Sequence, residues 1–173
     1  TEWSRDGRHT SRTEVELTPW GEQSAGGLVD RLAHVEFDLV LTSPRVRARR
    51  TAELAGFGHA HVEDDLAEWD YGDYEGVTTP EIRETVPGWT VWTHPTPGGE
   101  TADEVSARLD RVVERVRDHQ RSLVFAHGHS LRVLTARWLC QPAGEGRFCK
   151  LDTSTVSVLG FGRETPVLLN WNS

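Results

Sequence analysis

Apolar residues recur along this chain with helical spacing in some stretches and as short unbroken runs in others. "ETADEVSARLDRVVERVRDHQ", from Glu100, sets Val105, Leu109, Val112, Val113 and Val116 on one stripe, as in an amphipathic helix. Thr101 and Glu104 form a capping box at its start. "SLRVLTARWLC" predicts a helix with Leu131, Leu134, Trp138 and Leu139 on one face. "LTPWGEQSAGGLVDRLA" predicts another, with Thr18 as N-cap and Pro19 as first helical residue, weakened at Gly26-Gly27. "FDLVLT" and "SLVFA" are apolar runs of strand length. "SPRVRARRTAELAG" follows the first of them directly. Its spacing makes Ser43 the expected N-cap, Pro44 the first helical residue and Gly56 the stop. "STVSVLGF" and "PVLLNW" are two further strand candidates. Glu68 to Gly99 is rich in Gly, Pro and Trp and reads as loop, with one helix near Thr79 to Val86.

Strand, helix, helix, strand, helix is an α/β pattern, and helices between strands imply a three-layer α/β/α arrangement with a mostly parallel central sheet. The 173 residues suit one core, and no repeat or linker divides them, so residues 1–173 are expected to form a single domain. The net charge of −8 argues against nucleic acid or a membrane surface as partner, and no stretch approaches the length of a membrane span. A small anion remains compatible, because a few arginines can set the local field. Cys140 and Cys149 have neither metal spacing nor a disulfide framework and read as free thiols of a cytoplasmic protein.

Two apolar runs end in polar turns that open helices, "LVLTSPR" and "LVFAHGHS". In a parallel sheet both turns lie on one edge, where ligands of open α/β sheets bind and where helix N-termini attract phosphate. Arg47 adds a fork of donors there, and His127, last in its strand, points into the same space. Gly128 permits a tight turn and a close backbone approach. Plainer readings stand beside these. His127 also suits a polar sheet rim, and Arg45, Arg47, Arg49 and Arg50 a solvated helix face. His-x-His spacing also suits a metal, although the intervening glycine favours a turn. His59 and His61 read as surface residues. In "DDLAEWDYGDYEG" the carboxyl of Glu68 lies beside Trp69 and Tyr71, a setting that raises a carboxyl pKa toward general-acid use. The alternative is that Glu68, Asp70, Asp73 and Glu75 are ordinary loop carboxylates.

Together these segments resemble the histidine phosphatase superfamily, with its phosphoglycerate mutase-like fold. "SPRVRARRTAEL" is similar to that family's SP-x-x-RA-x-x-TA element and "LAEWDYGDYEG" to its L-x-E-x-x-x-G-x-x-EG loop. "PGGET" and "FAHGHS" resemble two further elements, and "TEWSRDGRHTSRTEVELTPWGEQ" resembles the segment that follows the family's RHG motif. Within the family, the sedoheptulose-bisphosphatase-like sugar phosphatases and broad-specificity acid phosphatases are most similar. Phosphoglycerate mutases carry a longer insertion where this chain has only Val77 to Pro97.

The resemblance implies a phosphomonoesterase acting on small sugar or sugar-acid phosphates through a phosphohistidine. The nucleophilic histidine belongs to RHG, expected with the first strand ahead of Thr1, and His9 does not match it. Arg47 and His127 would hold the phosphoryl oxygens and Glu68 would protonate the leaving alcohol. Ser4, Thr10, Ser43, Tyr71, Gly128, His129 and Arg132 are the expected substrate contacts, with Arg132 meeting a second phosphate or a sugar hydroxyl. Glu100 matches the GGE glutamate, either orienting an arginine or serving the helix start. No metal or cofactor is expected, and the chain is expected to be a monomer or homodimer. The alternatives are a phosphomutase of the phosphoglycerate type and a non-catalytic phosphate-binding module.

Overall fold

A computed structural model describes every residue, Thr1–Ser173. In the apolar run that begins at Phe37, Leu39–Thr42 forms β1, and its alternate residues face opposite ways: Leu39 and Leu41 join one core, Val40 another. Period-two alternation between two apolar surroundings requires helices on both faces of the sheet. Ser122–Phe125 forms β3 and pairs with β1 in parallel, Leu39 opposite Ser122 through Thr42 opposite Phe125. The short β2, His61–Val62, pairs in parallel with the other side of β1, giving the order β2-β1-β3.

One face is covered by α6, Ala102–Arg117, and α7, Gly128–Trp138, which bring Val105, Leu109, Val112, Val133 and Trp138 against Leu39 and Leu41. The other face carries α2 (Pro19–Gly26), α3 (Leu28–Leu32) and α4 (Val46–Leu54), with Leu28, Leu32 and Ala52 packed around Val40 and Phe125. These are the three layers expected from the pattern. α1 is a single turn, Glu2–Arg5, and α5 is Thr79–Thr85 in the loop-rich middle. That middle is anchored by Trp69, Tyr71 and Trp89, all in the larger core. The C-terminal strands β4, Val158–Gly162, and β5, Thr165–Asn170, form an antiparallel hairpin outside the three-stranded sheet. Its Phe161 packs on Trp138, whose indole N–H reaches the Gly160 carbonyl at 3.2 Å.

Four local expectations need correction. The segment after Thr18 is two helices, broken where Gly26-Gly27 weakened the pattern. α4 starts at Val46 rather than Pro44, and Ser43 is not its cap, because Glu14 reaches across to accept the Val46 N–H at 2.9 Å. α7 starts at Gly128, two residues before the expected serine, and His127 precedes it rather than ending β3. On α7, Val133, Leu134 and Trp138 are buried, while Leu131 and Leu139 are only half-buried.

Candidate functional site

Because β1 and β3 are adjacent and parallel, the residues that follow them meet. Ser43 is fully buried, and its Oγ lies 2.6 Å from Nε2 of His127. Ser43 Oγ also accepts the Arg45 N–H at 3.3 Å, and Nε2 is the one acceptor within reach of its own proton, which favours donation from the hydroxyl to the ring. His127 then carries its proton on Nδ1. Ser43 is thus enclosed as a support of the ring and does not line the pocket as expected. Burial, and then the charges of Arg47, Arg45 and Arg108, push the His127 pKa well below its ordinary value. Burial and these charges therefore favour the neutral ring.

Arg47, in the first turn of α4, is buried. Its Nη1 donates to the Thr13 carbonyl at 3.1 Å and its Nη2 to those of Thr10 and Ser11 at 3.0 and 3.3 Å. Nε–H and one Nη1 hydrogen stay free for an anion. The loop that offers these carbonyls is itself held by Glu75, which accepts the Ser11 N–H at 2.9 Å, the Ser11 hydroxyl at 2.8 Å and the Thr13 N–H at 3.0 Å. Although burial opposes it, these donors keep the Glu75 carboxyl below its ordinary pKa. Glu75 is not an ordinary loop carboxylate.

Glu68 is buried at the start of α7. One oxygen accepts the N–H groups of Trp69 and Ser130, each at 2.8 Å, and the other that of His129 at 3.0 Å. It occupies the place of a helix cap, where the positive end of the helix favours a carboxylate. Burial is the larger influence and raises its pKa, against the pull of those three N–H groups and of Arg47. The Gly128 N–H donates to no protein group. Gly128 was expected to allow a tight turn and a close approach, yet its φ is not positive and an added Cβ would sit 3.9 Å from Glu68. The residues that must be glycine are elsewhere. Gly72 has φ +54°, and a Cβ there would lie 2.1 Å from the Pro97 carbonyl; one on Gly99 would lie 2.2 Å from that of Asp70. These two glycines let the acidic loop and the Gly-Gly-Glu segment interlock.

Beyond Glu68, the Tyr71 hydroxyl lies 2.6 Å from His129 Nδ1. Burial, then Arg132 and His9, lower the His129 pKa to about 3. His127 and His129 therefore bind different partners rather than sharing a metal geometry. Arg132 stacks on Trp92 at 4.6 Å and donates from Nε and Nη2 to the carbonyls of Gly146 and Arg147, each at 3.0 Å. Both Nη1 hydrogens stay free. Thr10 takes part through its carbonyl, its hydroxyl being turned to Arg8. Ser4 is exposed and lies in the turn of α1, where its N–H donates to Oγ1 of Thr1 at 3.0 Å.

A cationic fork, an imidazole and a protonatable carboxyl thus share one sheet edge. The profile of the histidine phosphatase superfamily, branch 1, matches residues 1–173. The chain belongs to the histidine phosphatase superfamily. It is 44% identical to an acid phosphatase of Mycobacterium tuberculosis over 166 residues, 93% of this chain and 82% of that protein. It is 37% identical to a sedoheptulose 1,7-bisphosphatase of Saccharomyces cerevisiae over 172 residues, 80% of this chain and 64% of that enzyme. The solved structure of an open reading frame from Mycobacterium tuberculosis superposes with a TM-score of 0.95 at 41% identity, covering 99% of this chain and 92% of the other. Phosphatase chemistry and the fold read from the motifs are therefore those of the superfamily.

Three residues around this candidate site had escaped sequence reasoning. Trp92 sits between Arg132 and His129, its ring 5.1 Å from that of His129. His9 is buried edge-on to Tyr71 at 4.7 Å, with Nδ1 donating to the Val77 carbonyl at 2.7 Å. Arg108 is buried beneath the Glu68 segment. Only Arg108 had a signal: with helical spacing it falls on the stripe of Val105, Leu109 and Val112, where a charge needs a partner. No helix is long and apolar enough to cross a membrane.

Proposed function

We propose that this chain hydrolyses phosphomonoesters of small, hydroxyl-bearing alcohols, sugars or sugar acids, through a phosphohistidine. The histidine nitrogen attacks phosphorus, the ester P–O bond breaks, and the leaving oxygen takes the proton of Glu68. Water then attacks phosphorus and gives a proton back to Glu68, the P–N bond breaks, and inorganic phosphate leaves. The attacking histidine belongs, in this reading, to the RHG segment that the resemblance puts ahead of Thr1. Arg47 and Nδ1–H of His127 stabilise the charge on the transferring phosphoryl group.

The observation that carries the proposal is Glu68: a buried carboxyl with a raised pKa, seated on a helix start in the field of Arg47. A site that only bound phosphate would gain nothing from an acid there, since a carboxylate repels the anion. The similarity to an acid phosphatase and to a sedoheptulose 1,7-bisphosphatase supports a sugar phosphate as substrate. The free Nη1 of Arg132 is the donor this reading assigns to a second phosphate or a hydroxyl.

The test is phosphate release from a panel of sugar mono- and bisphosphates by the full natural chain, with a parallel quench in alkali, where phosphohistidine survives. Released phosphate with a labelled, alkali-stable protein is expected. Transfer of label to product without release would make the enzyme a mutase, and no turnover with phosphate binding would leave a binding module.

A further inference from the structure

We propose that Arg108 is a positioning residue for the proton donor: braced by Glu100, its fork fixes the backbone around Glu68 and so holds the Glu68 carboxyl on the start of α7. The inference rests on Glu68 being the acid of the proposed reaction.

Arg108 is buried, and all five of its N–H groups are used within the protein. Nε and Nη2 grip the two oxygens of Glu100 at 2.7 and 2.9 Å. Nη1 donates to the carbonyls of Asp65 and Ala67 at 2.6 and 2.8 Å, and Nη2 to that of Glu68 at 3.3 Å. No donor remains for a substrate. Glu100 ties the same segment from the other side. Its carboxylate accepts the Asp70 N–H at 2.9 Å, and its backbone carbonyl accepts the Trp69 indole N–H at 2.9 Å. The segment 65–70 is thus held on both sides of Glu68, while the Glu68 carboxyl is anchored on a different element, α7. The placing of that carboxyl depends on how segment 65–70 sits against the helix. Lysine, with three donors on one atom, cannot bridge Glu100 and three carbonyls as the planar fork does.

The experiment compares Arg108→Lys with Glu68→Gln in the full natural chain on two substrates. One is an alkyl phosphate, whose leaving oxygen needs a proton. The other is p-nitrophenyl phosphate, whose leaving group departs without one. A misplacement near 1 Å costs about a hundredfold, so Arg108→Lys is expected to lower kcat/KM on the alkyl phosphate by about ten- to a hundredfold. Its kcat/KM on p-nitrophenyl phosphate, set by the first phosphoryl transfer and not by the later hydrolysis in which Glu68 takes a proton from water, is expected to fall by no more than about twofold. Equal losses on both substrates, or none on either, overturn the inference. If Glu68→Gln itself shows no difference between the substrates, the failure belongs to the acid assignment and not to Arg108 alone. Should Arg108→Lys not fold, Glu100→Gln, which keeps the shape and removes the charged half of the grip, is read by the same criteria.

Discussion

Replacing Ser43 by alanine removes one oxygen that is closed off from solvent, and it should nevertheless slow the enzyme. The hydroxyl is fully buried and lies 2.6 Å from His127 Nε2. Its loss leaves a buried ring nitrogen and the Arg45 N–H without their partner, which costs about 1–3 kcal/mol of stability. For a chain of this size that is a fall in Tm of about 2–4 °C per kcal/mol. The effect on rate comes through His127. Losing a preorganised transition-state donor altogether costs about a hundred- to a thousandfold, the expectation for His127→Ala. In Ser43→Ala the ring remains, but neither its tautomer nor its rotation is fixed, so kcat/KM should fall about tenfold, or about 1.4 kcal/mol of barrier. The assay is a double-mutant cycle on kcat/KM with one phosphomonoester. If Ser43 acts only through His127, the double variant is no slower than His127→Ala. Losses that multiply would refute the reasoning and make Ser43 an independent contact.

Glu75→Gln should raise KM and the inhibition constant of inorganic phosphate together, with a smaller change in kcat, because Glu75 shapes the loop that orients Arg47; a loss confined to kcat contradicts this. Arg132→Ala should harm a sugar bisphosphate more than the matching monophosphate, and equal effects would remove the second-phosphate contact. Glu68 must be protonated to serve the leaving oxygen, and its pKa is raised, so kcat/KM on alkyl phosphates should fall as pH rises through that raised value, and Glu68→Gln should abolish this limb. His129 has its folded pKa lowered to about 3, so its contribution is present at neutral pH and is lost as pH falls from the unfolded value. Between pH 7 and pH 5 this costs about 2 kcal/mol, read as the part of the urea-unfolding difference that His129→Gln removes; an unchanged difference refutes the assignment.

The sheet was legible because Leu39, Val40 and Leu41 form an unbroken apolar run between helices, a pattern that suits burial on both faces. α6 was legible from its stripe and its capping box. What stayed hidden depends on partners distant in sequence. Glu14 caps α4 from 32 residues away, so Ser43, the better local cap, was free to serve His127. Arg132 presents the same letter whether its fork faces a ligand or backbone carbonyls, and only the fold shows that Nε and Nη2 face Gly146 and Arg147. Glu75 looked like any acidic loop residue, since nothing near it in sequence announces the Ser11 and Thr13 donors. The motif glycines illustrate the same limit. Gly128 drew attention beside two histidines, yet the backbone approaches closest at Gly72 and Gly99, each enforced by the other's segment.

The central claim is that Glu68 protonates the departing oxygen. Its most direct test is the dependence of kcat/KM on leaving-group pKa, across a series from nitrophenyl to alkyl phosphates, for the natural chain and for Glu68→Gln. The account predicts a shallow slope for the natural chain and a steep one for the variant, so that the two rates converge for the best leaving groups. Parallel lines, with the variant slower by one constant factor throughout, would contradict it.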